Sequence, residues 1–393
     1  MDAHDVDWLR SDDGTRALAR AAEGFASGLT ELAVLDRLRR DLAPEQTRAV
    51  LALIDGRRAA SAKFPDADRL FFDRESAEQA SAEVVARHTA ARFAGATRIA
   101  DLGCGAGGDA LALAAHAPVL AVDRDSGRLA LVAANAAVRS MPIEVVEASV
   151  EAFALPADID AAWLDPARRD DGGRVRDPEQ WSPPLSTAIR IAAALPRAGI
   201  KVAPGIDLAA VPESCEVEFI SHEGVLVEAV LWNGTAVTAA RRATVLPDGA
   251  SIEGSPDTGA TPIGEPRRYL YDLDPTVGRA SLVDVVAPLL HAWRLDEHTA
   301  YLSGDEAVDS PFARRFRIDG WIPFSERRLR DLLEALGVTR VEVMRRASPV
   351  DTNALETRLN RALAGAGRSP RVRTVALTRM GEAHVAIVCE RER

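Results

Sequence analysis

Ile99-Ala-Asp101-Leu-Gly103-Cys-Gly105-Ala-Gly107-Gly108-Asp109 decides how this 393-residue chain is read. An apolar stretch runs into a cluster of glycines, and an alanine-rich helical stretch opens directly behind them. Gly103, Gly105 and Gly108 satisfy G-x-G-x-x-G. Glycines there let the backbone adopt left-handed angles and approach a ligand closely. The pattern places a nucleotide-type ligand at a strand-to-helix turn without choosing which ligand.

Outward from this turn, apolar strands alternate with helical stretches. Strands are predicted at 98–102, 119–122, 143–146, 161–164 and 199–202, with helices at 109–115, 126–138 and 181–195. Such β-α alternation predicts a doubly wound, Rossmann-like parallel sheet with helices on both faces. Residues 216–220 and 225–232 read as a closing antiparallel hairpin, with Asn233-Gly234 marking the turn beyond it. Upstream, residues 1–62 read as a helical segment. Leu29, Leu32, Leu35, Leu38 and Leu42 form one amphipathic face, and a helix over 45–54 ends at Asp55-Gly56. A further helix is expected over about 76–93. Residues 246–266 are dense in Gly, Pro, Ser and Asp and read as a linker. Behind them, residues 267–393 read as an α+β domain with helices at 281–293 and 325–336 and strands at 340–344, 372–378 and 382–389. The sheet domain is thereby bounded at 63–245.

Three acids bear on the ligand. Asp101 lies two residues before the first glycine, where it suits a cationic amino-acid end better than a pyrophosphate. Asp109 opens the following helix and would repel a phosphate seated there. Asp123 ends the second strand, 22 residues after Asp101, where a carboxylate can accept ribose hydroxyls. These features favour S-adenosylmethionine; a dinucleotide, or a turn that serves packing alone, stays open on the residues themselves. The fourth strand delivers Trp163-Leu164-Asp165-Pro166-Ala167-Arg168-Arg169 to the same sheet edge. Asp165 and Pro166 would form a rigid acceptor beside the transferred methyl, where proximity supplies most of the rate. Arg168 and Arg169 would steer a phosphate.

On these residues the chain resembles class I S-adenosylmethionine-dependent methyltransferases. More narrowly, it resembles bacterial methyltransferase-like proteins with a C-terminal THUMP-like domain, whose methyltransferase half is similar to the cap guanosine-N2 methyltransferases. The runs Asp101–Leu111, Ala121–Asp125 and Ala133–Ala136 carry the resemblance, as do Lys63-Phe64, Phe71–Asp73, Glu78–Ser81 and Lys201–Asp207. It implies that Asp101, Gly103, Cys104, Gly105 and Gly107 hold the methionine end and Asp123 the ribose; where the group often places an acid to meet the adenine, this chain has Ala148-Ser149-Val150, so Ser149 with Val150 is expected there, with Glu147 or Glu151 as substitutes. The chain departs from the amino-methyltransferase pattern after Asp165-Pro166, where no aromatic residue follows. For the last domain, likeness to THUMP domains implies capture of structured RNA, tRNA or rRNA, by shape and backbone contacts.

Composition narrows the alternatives. Hydrophobic residues make up 47% and charged residues 27%, which describes a globular chain rather than a disordered one. No apolar run approaches the roughly 20 residues of a membrane span. The start is acidic and lacks a secretory pattern, and Cys104, Cys215 and Cys389 form no disulfide framework. A cytoplasmic protein is expected, with no membrane and no DNA partner. The seven histidines show no metal-ligand spacing, so no metal is expected. Net charge is -11, yet residues 311–393 hold 17 basic and 10 acidic residues, which suits a polyanion. Of 48 basic residues, 46 are arginine; the two lysines, Lys63 and Lys201, both fall inside the resembling motifs and are expected to face the cleft or a bound phosphate. The leading expectation is methyl transfer to RNA. The alternatives are a small-molecule or protein methyltransferase, and a catalytically degenerate cofactor- and RNA-binding protein. Oligomeric state is not specified.

Overall fold

The structure, a computed structural model, describes residues 1–170, 173–364 and 371–392; at 169, 170, 173 and 174 it describes the main chain. Contacts divide it into two compact units, Met1–Glu216 with Ala229–Thr238, and Val217–Glu228 with Ala239–Arg393.

The first unit opens with α1 (Ala3–Arg10), α2 (Asp12–Ala26), α3 (Glu31–Leu38) and α4 (Pro44–Ala60). Asp2, Ser11 and Thr30 cap the first three by accepting main-chain N–H bonds. The amphipathic face foreseen over 29–42 is shorter than expected, for Leu29 and Leu32 are exposed. Conversely, α4 runs past Asp55-Gly56. Gly56 is no terminator: a Cβ there would lie 1.9 Å from the Phe72 carbonyl oxygen, so it is a point of close packing. The single helix expected over 76–93 is two, α5 (Arg74–Gln79) and α6 (Glu83–Ala91), because Ala80 turns to extended backbone. Val50, Leu53, Phe64, Leu70 and Phe72 share one buried core with Leu131 and Ala134 of α8 (Ser126–Arg139). The helical segment at 1–62 therefore packs as part of the sheet unit.

The sheet is built from β1 (Ile99–Leu102), β2 (Val119–Asp123), β3 (Ile143–Glu147) and β4 (Ala161–Leu164), with α7 (Gly108–Leu113) between β1 and β2. A two-stranded hairpin, β5 (Arg169–Asp170) and β6 (Gly173–Arg174), precedes α9 (Leu185–Ala193) and β7 (Arg197–Val202). The helix foreseen from 181 starts only at 185, since Pro183 and Pro184 disfavour helical backbone before them. The parallel strands lie in the order β7-β4-β1-β2-β3. Residues 229–234 of β9 (Val225–Gly234) pair antiparallel with β7, as a closing strand should. Strand order reverses at β1, so the carboxyl ends of β1 and β4 flank the crevice where such sheets bind ligands. Phe93, Trp163 and Trp232 pack ring to ring behind it, with centroids 5.8–6.3 Å apart.

In the second unit β8 (Glu216–His222) runs parallel to β10 (Arg241–Leu246), which forms a hairpin with β11 (Ala250–Gly254). The stretch expected as linker from 246 thus begins inside a strand pair around Pro247-Asp248-Gly249. After it come β12 (Tyr269–Leu273), α10 (Pro275–Ala280), α11 (Val283–Leu289), β13 (Ala292–Arg294), β14 (Tyr301–Gly304) and β15 (Ala313–Pro323). The helix foreseen over 281–293 stops at Leu289, and Ala292 and Trp293 belong to β13. Then follow α12 (Glu326–Ala335), β16 (Arg340–Arg345), α13 (Thr352–Leu363), β17 (Val372–Met380) and β18 (Ala383–Arg391). These strands form a seven-stranded sheet in the order β13-β14-β12-β15-β18-β17-β16. Alternation divides its faces: Val375, Leu377, Ala386 and Val388 pack with Leu329, Leu333, Leu355 and Leu359 of α12 and α13, whereas Ala376, Val385, Ile387 and Cys389 pack with Leu270 and Tyr301. This is the α+β domain expected, with its α13 unforeseen.

Candidate active site

The crevice at the ends of β1 and β4 holds an unusual density of carboxylates. Asp101, in the middle of the sheet, is 1% exposed. Neither of its oxygens has a hydrogen-bond partner among the described residues. Burial, with Asp109 and Asp165 close by, pushes its carboxyl well above the usual carboxylate range. A buried polar group without a partner costs free energy unless a ligand supplies one.

Three glycines in the left-handed region, Gly103, Gly105 and Gly107, give the turn its shape. Gly103 has φ +86°, and a Cβ on it would lie 2.9 Å from the Asp165 carbonyl oxygen. Gly107, at φ +83°, starts α7. The Gly103 and Cys104 amides donate to the Val122 carbonyl. Asp123 ties the turn from below: its Oδ2 accepts from the Gly105 N–H at 3.0 Å and its Oδ1 from the Asp125 N–H at 3.0 Å. Asn135 of α8 braces the turn from behind, donating to the carbonyls of Phe71 and Ala106 and accepting from the Phe71 N–H at 2.7 Å. Cys104 is buried, and burial with Asp101 and Asp123 nearby drives its thiol well up, which removes it as a nucleophile.

Next to β2 the Ala148 N–H donates to the Asp123 carbonyl, setting Ser149 and Val150 at the crevice edge. Val150 is buried, while the Ser149 hydroxyl donates to Glu151, which also accepts from Ser182 at 3.0 Å. Asp165 leaves β4 with its N–H donating to the Leu102 carbonyl. Pro166 behind it is buried and Arg168 is half-buried. The side chain of Arg169 lies outside the described residues.

The two lysines are placed differently, Lys201 on the crevice carboxylate Asp165 and Lys63 on main chain beside it. Lys201, on β7, is buried; its Nζ donates to Asp165 Oδ2 at 2.9 Å and Ser81 Oγ at 2.8 Å, and lies 3.4 Å from Asp109 Oδ2. Lys63 sends its Nζ to the carbonyls of Ala77, Glu78 and Ala80 at 2.7–2.9 Å, so its protons go to main chain rather than to a phosphate. Burial and the neighbouring Lys201 charge lower its pKa. Ser81 and Asp109 were not foreseen as members of this network, although both stand inside the quoted motifs.

Asp109, Asp123 and Asp165 gather near Asp101, with a single ammonium, Lys201, bound to Asp165 and near Asp109; together they make a crevice for a cationic ligand. A dinucleotide pyrophosphate would meet them at close range and be repelled. The glycine cradle and the orphaned Asp101 fit the cationic methionine end and the sulfonium of S-adenosylmethionine.

No three or more His, Cys, Asp or Glu side chains are placed to hold a metal ion among the described residues, and no described helix is long and apolar enough to cross a membrane. Fold and site define an S-adenosylmethionine-dependent methyltransferase, and residues 99–166 match the Methyltransferase domain family. An S-adenosylmethionine-dependent methyltransferase of Mycobacterium tuberculosis, known as uncharacterized in strains CDC 1551 / Oshkosh and H37Rv, is 36% identical over 341 residues, 82% of this chain and 89% of that one. The chain belongs to that family of S-adenosylmethionine-dependent methyltransferases with a C-terminal THUMP-like domain. Residues 313–391 match the THUMP domain-like family, and residues 2–60 match a domain of unknown function. The crystal structure of a putative methyltransferase from Porphyromonas gingivalis W83 has the same fold, with TM-score 0.77 and 20% identity over 96% of this chain and 99% of that one.

Proposed function

We propose that this methyltransferase acts on RNA, tRNA or rRNA, and that its THUMP-like domain recruits the substrate. The buried, unpaired Asp101 beside Asp165 carries the assignment of the site. Asp101 accepts from the cofactor's ammonium, and the turn Gly103-Cys104-Gly105-Ala106-Gly107 lets the backbone come close to it. Asp123 has lone pairs left for both ribose hydroxyls, and Ser149 and Val150 border the adenine. When bound, S-adenosylmethionine supplies an electrophilic methyl whose transfer leaves the electron pair on sulfur. Asp165, backed by Pro166, accepts a hydrogen bond from the acceptor's N–H and holds its lone pair toward that methyl. Arg168 and Arg169 steer the adjoining phosphate.

The THUMP-like match and the basic balance of residues 311–393 support RNA as substrate. Many of those arginines are already paired: Arg315 with Asp309 and Glu392, Arg317 with Asp319 and Glu390, Arg314 and Arg346 with Asp272. Arg327 and Arg328 stay exposed on α12 and are the arginines we assign to phosphate contact. We divide the chain into 1–62 and 63–245, which pack as one unit, the stretch 246–266, and 267–393; the hairpin of β10 and β11 crosses the boundary at 245.

Labelled methyl transfer to total RNA from a strain lacking the gene tests this reading. Label in one RNA size class, absent with Asp101→Ala, supports it. Intact cofactor binding without transfer to RNA would move the assignment to a small-molecule or protein acceptor, or to a degenerate binding protein.

A further inference from the structure

The chain's two lysines act on one stretch, residues 77–83. Lys63 gathers the carbonyls of Ala77, Glu78 and Ala80 at 2.9, 2.7 and 2.7 Å, and its own carbonyl accepts from the Glu83 N–H at 3.0 Å. One residue beyond Ala80, the Ser81 hydroxyl accepts from Lys201, whose ammonium also holds Asp165 Oδ2. We propose that Lys63 and Lys201 form a clamp that locks residues 77–83 against the crevice and fixes the acceptor-holding carboxylate of Asp165, so that both are positioning residues for methyl transfer. This rests on the reading of Asp165 given above.

Geometry explains why these two positions are lysine in an arginine-rich chain. An ammonium presents three N–H bonds in a compact tetrahedron, whereas a guanidinium presents a planar fork. At each position at least three oxygens converge on one nitrogen: three carbonyls at Lys63; the Ser81 hydroxyl and the Asp109 and Asp165 carboxylates among those at Lys201. A planar fork cannot point at three such oxygens, and Lys201 is too buried for one to reach past them. Ile200 of β7 pairs with Leu164 of β4, which brings the following Lys201 level with Asp165. Lys201 takes Oδ2 and leaves Oδ1 of Asp165 for the acceptor. The segment also walls the turn: Ala80 and Ser81 lie within 4 Å of where a Cβ on Gly108 would stand. The clamp therefore joins the cofactor turn, the acceptor carboxylate and the break between α5 and α6.

The full-length protein carrying Lys63→Arg, Lys201→Arg, Lys201→Ala or Ser81→Ala tests the clamp by two readouts. The first is hydrogen exchange of the 77–83 amides with cofactor bound. The second is methyl transfer to the total RNA described above, per titrated cofactor site. Expected are a tenfold or greater rise in exchange confined to 77–83 for both lysine-to-arginine variants, and a fall in kcat of about 100-fold for Lys201→Arg with KM for RNA changed less than threefold. Propylammonium should restore part of the lost kcat in Lys201→Ala, which a merely structural role would not allow. Ser81→Ala, the mildest change, should cost about fivefold in kcat and serves if the lysine variants do not fold. Wild-type kcat in Lys201→Arg, or wild-type exchange at 77–83 in both arginine variants, overturns the proposal. If the wild-type protein transfers no methyl to RNA, the RNA reading fails by itself and the exchange data decide the clamp.

Discussion

The crevice at β1 and β4 and the sheet of the THUMP-like domain handle charge in opposite ways. In the crevice, Asp101 is buried with both oxygens unpartnered and other carboxylates nearby. In the C-terminal sheet, buried charges meet: Arg373 and Asp319, each about 7% exposed at the side chain, lie 2.5 Å apart, and Glu390 joins them. Unpartnered oxygens at the first mark a place where the partner arrives from outside. Compensated charge at the second is architecture, and a count of arginines there overstates what is free to bind phosphate.

The contrast can be broken most severely at Arg373. Arg373→Leu leaves Asp319 buried with one partner fewer, and breaking such a pair costs about 3–5 kcal/mol. A fall in denaturation midpoint with the cofactor affinity of the folded protein unchanged is expected. Asp101→Asn should act with the opposite sign. It removes an interaction with a charged ligand worth about 2–3 kcal/mol, lowering cofactor affinity by roughly 30- to 100-fold in calorimetry, yet it should stabilise the cofactor-free protein at neutral pH. The sign follows from linkage: a carboxyl whose folded pKa is raised holds its proton while the unfolded chain ionises, so folding loses stability as pH climbs from the usual carboxylate range through the raised value. The gain in Tm from Asp101→Asn should therefore shrink toward zero in acid. A Tm gain equal at all pH values would mean that folding does not raise the pKa of the Asp101 carboxyl.

Gly103→Ala sharpens the comparison on the backbone side. The alanine must adopt φ +86° with its Cβ 2.9 Å from a carbonyl oxygen, a loss of about 1–3 kcal/mol in thermal unfolding. The smallest effect belongs to Arg327→Glu with Arg328→Glu. Folding stability should hold, while the salt dependence of RNA binding loses about 1.4 to 1.8 from its logarithmic slope. An unchanged slope would remove α12 from the RNA-binding surface.

The doubly wound sheet was legible because its signals are local and redundant: alternating strands and helices, with glycines where the turn after β1 needs positive φ. The four acids of the crevice were legible for a related reason, since strand ends of a parallel sheet converge on one edge whatever the sequence between them. Lys201 could be singled out by its rarity, but that its ammonium goes to Asp165 and Ser81 depends on the register of β7 against β4, which no spacing in the chain reveals. Gly56 and the Ala80 break show the same gap, for each meets a group distant in sequence, the Phe72 carbonyl in one case and the Lys63 ammonium in the other. In the C-terminal domain α13 was missed although Leu355, Leu359 and Leu363 recur at four-residue steps behind Asp351 as cap. The pairing of its arginines was hidden because it is made across neighbouring strands, between residues as far apart as Arg317 and Glu390.

Asn135 has one further consequence. Its amide joins Phe71, on the stretch after the N-terminal helices, to Ala106 inside the glycine turn, and its helix shares a core with α4. The segment matched as a domain of unknown function is thus no detachable cassette. Recombination at residue 62, in nature or in a cloning scheme, would strip the apolar backing from α8 and slacken the turn it supports, so the two segments have to be inherited together.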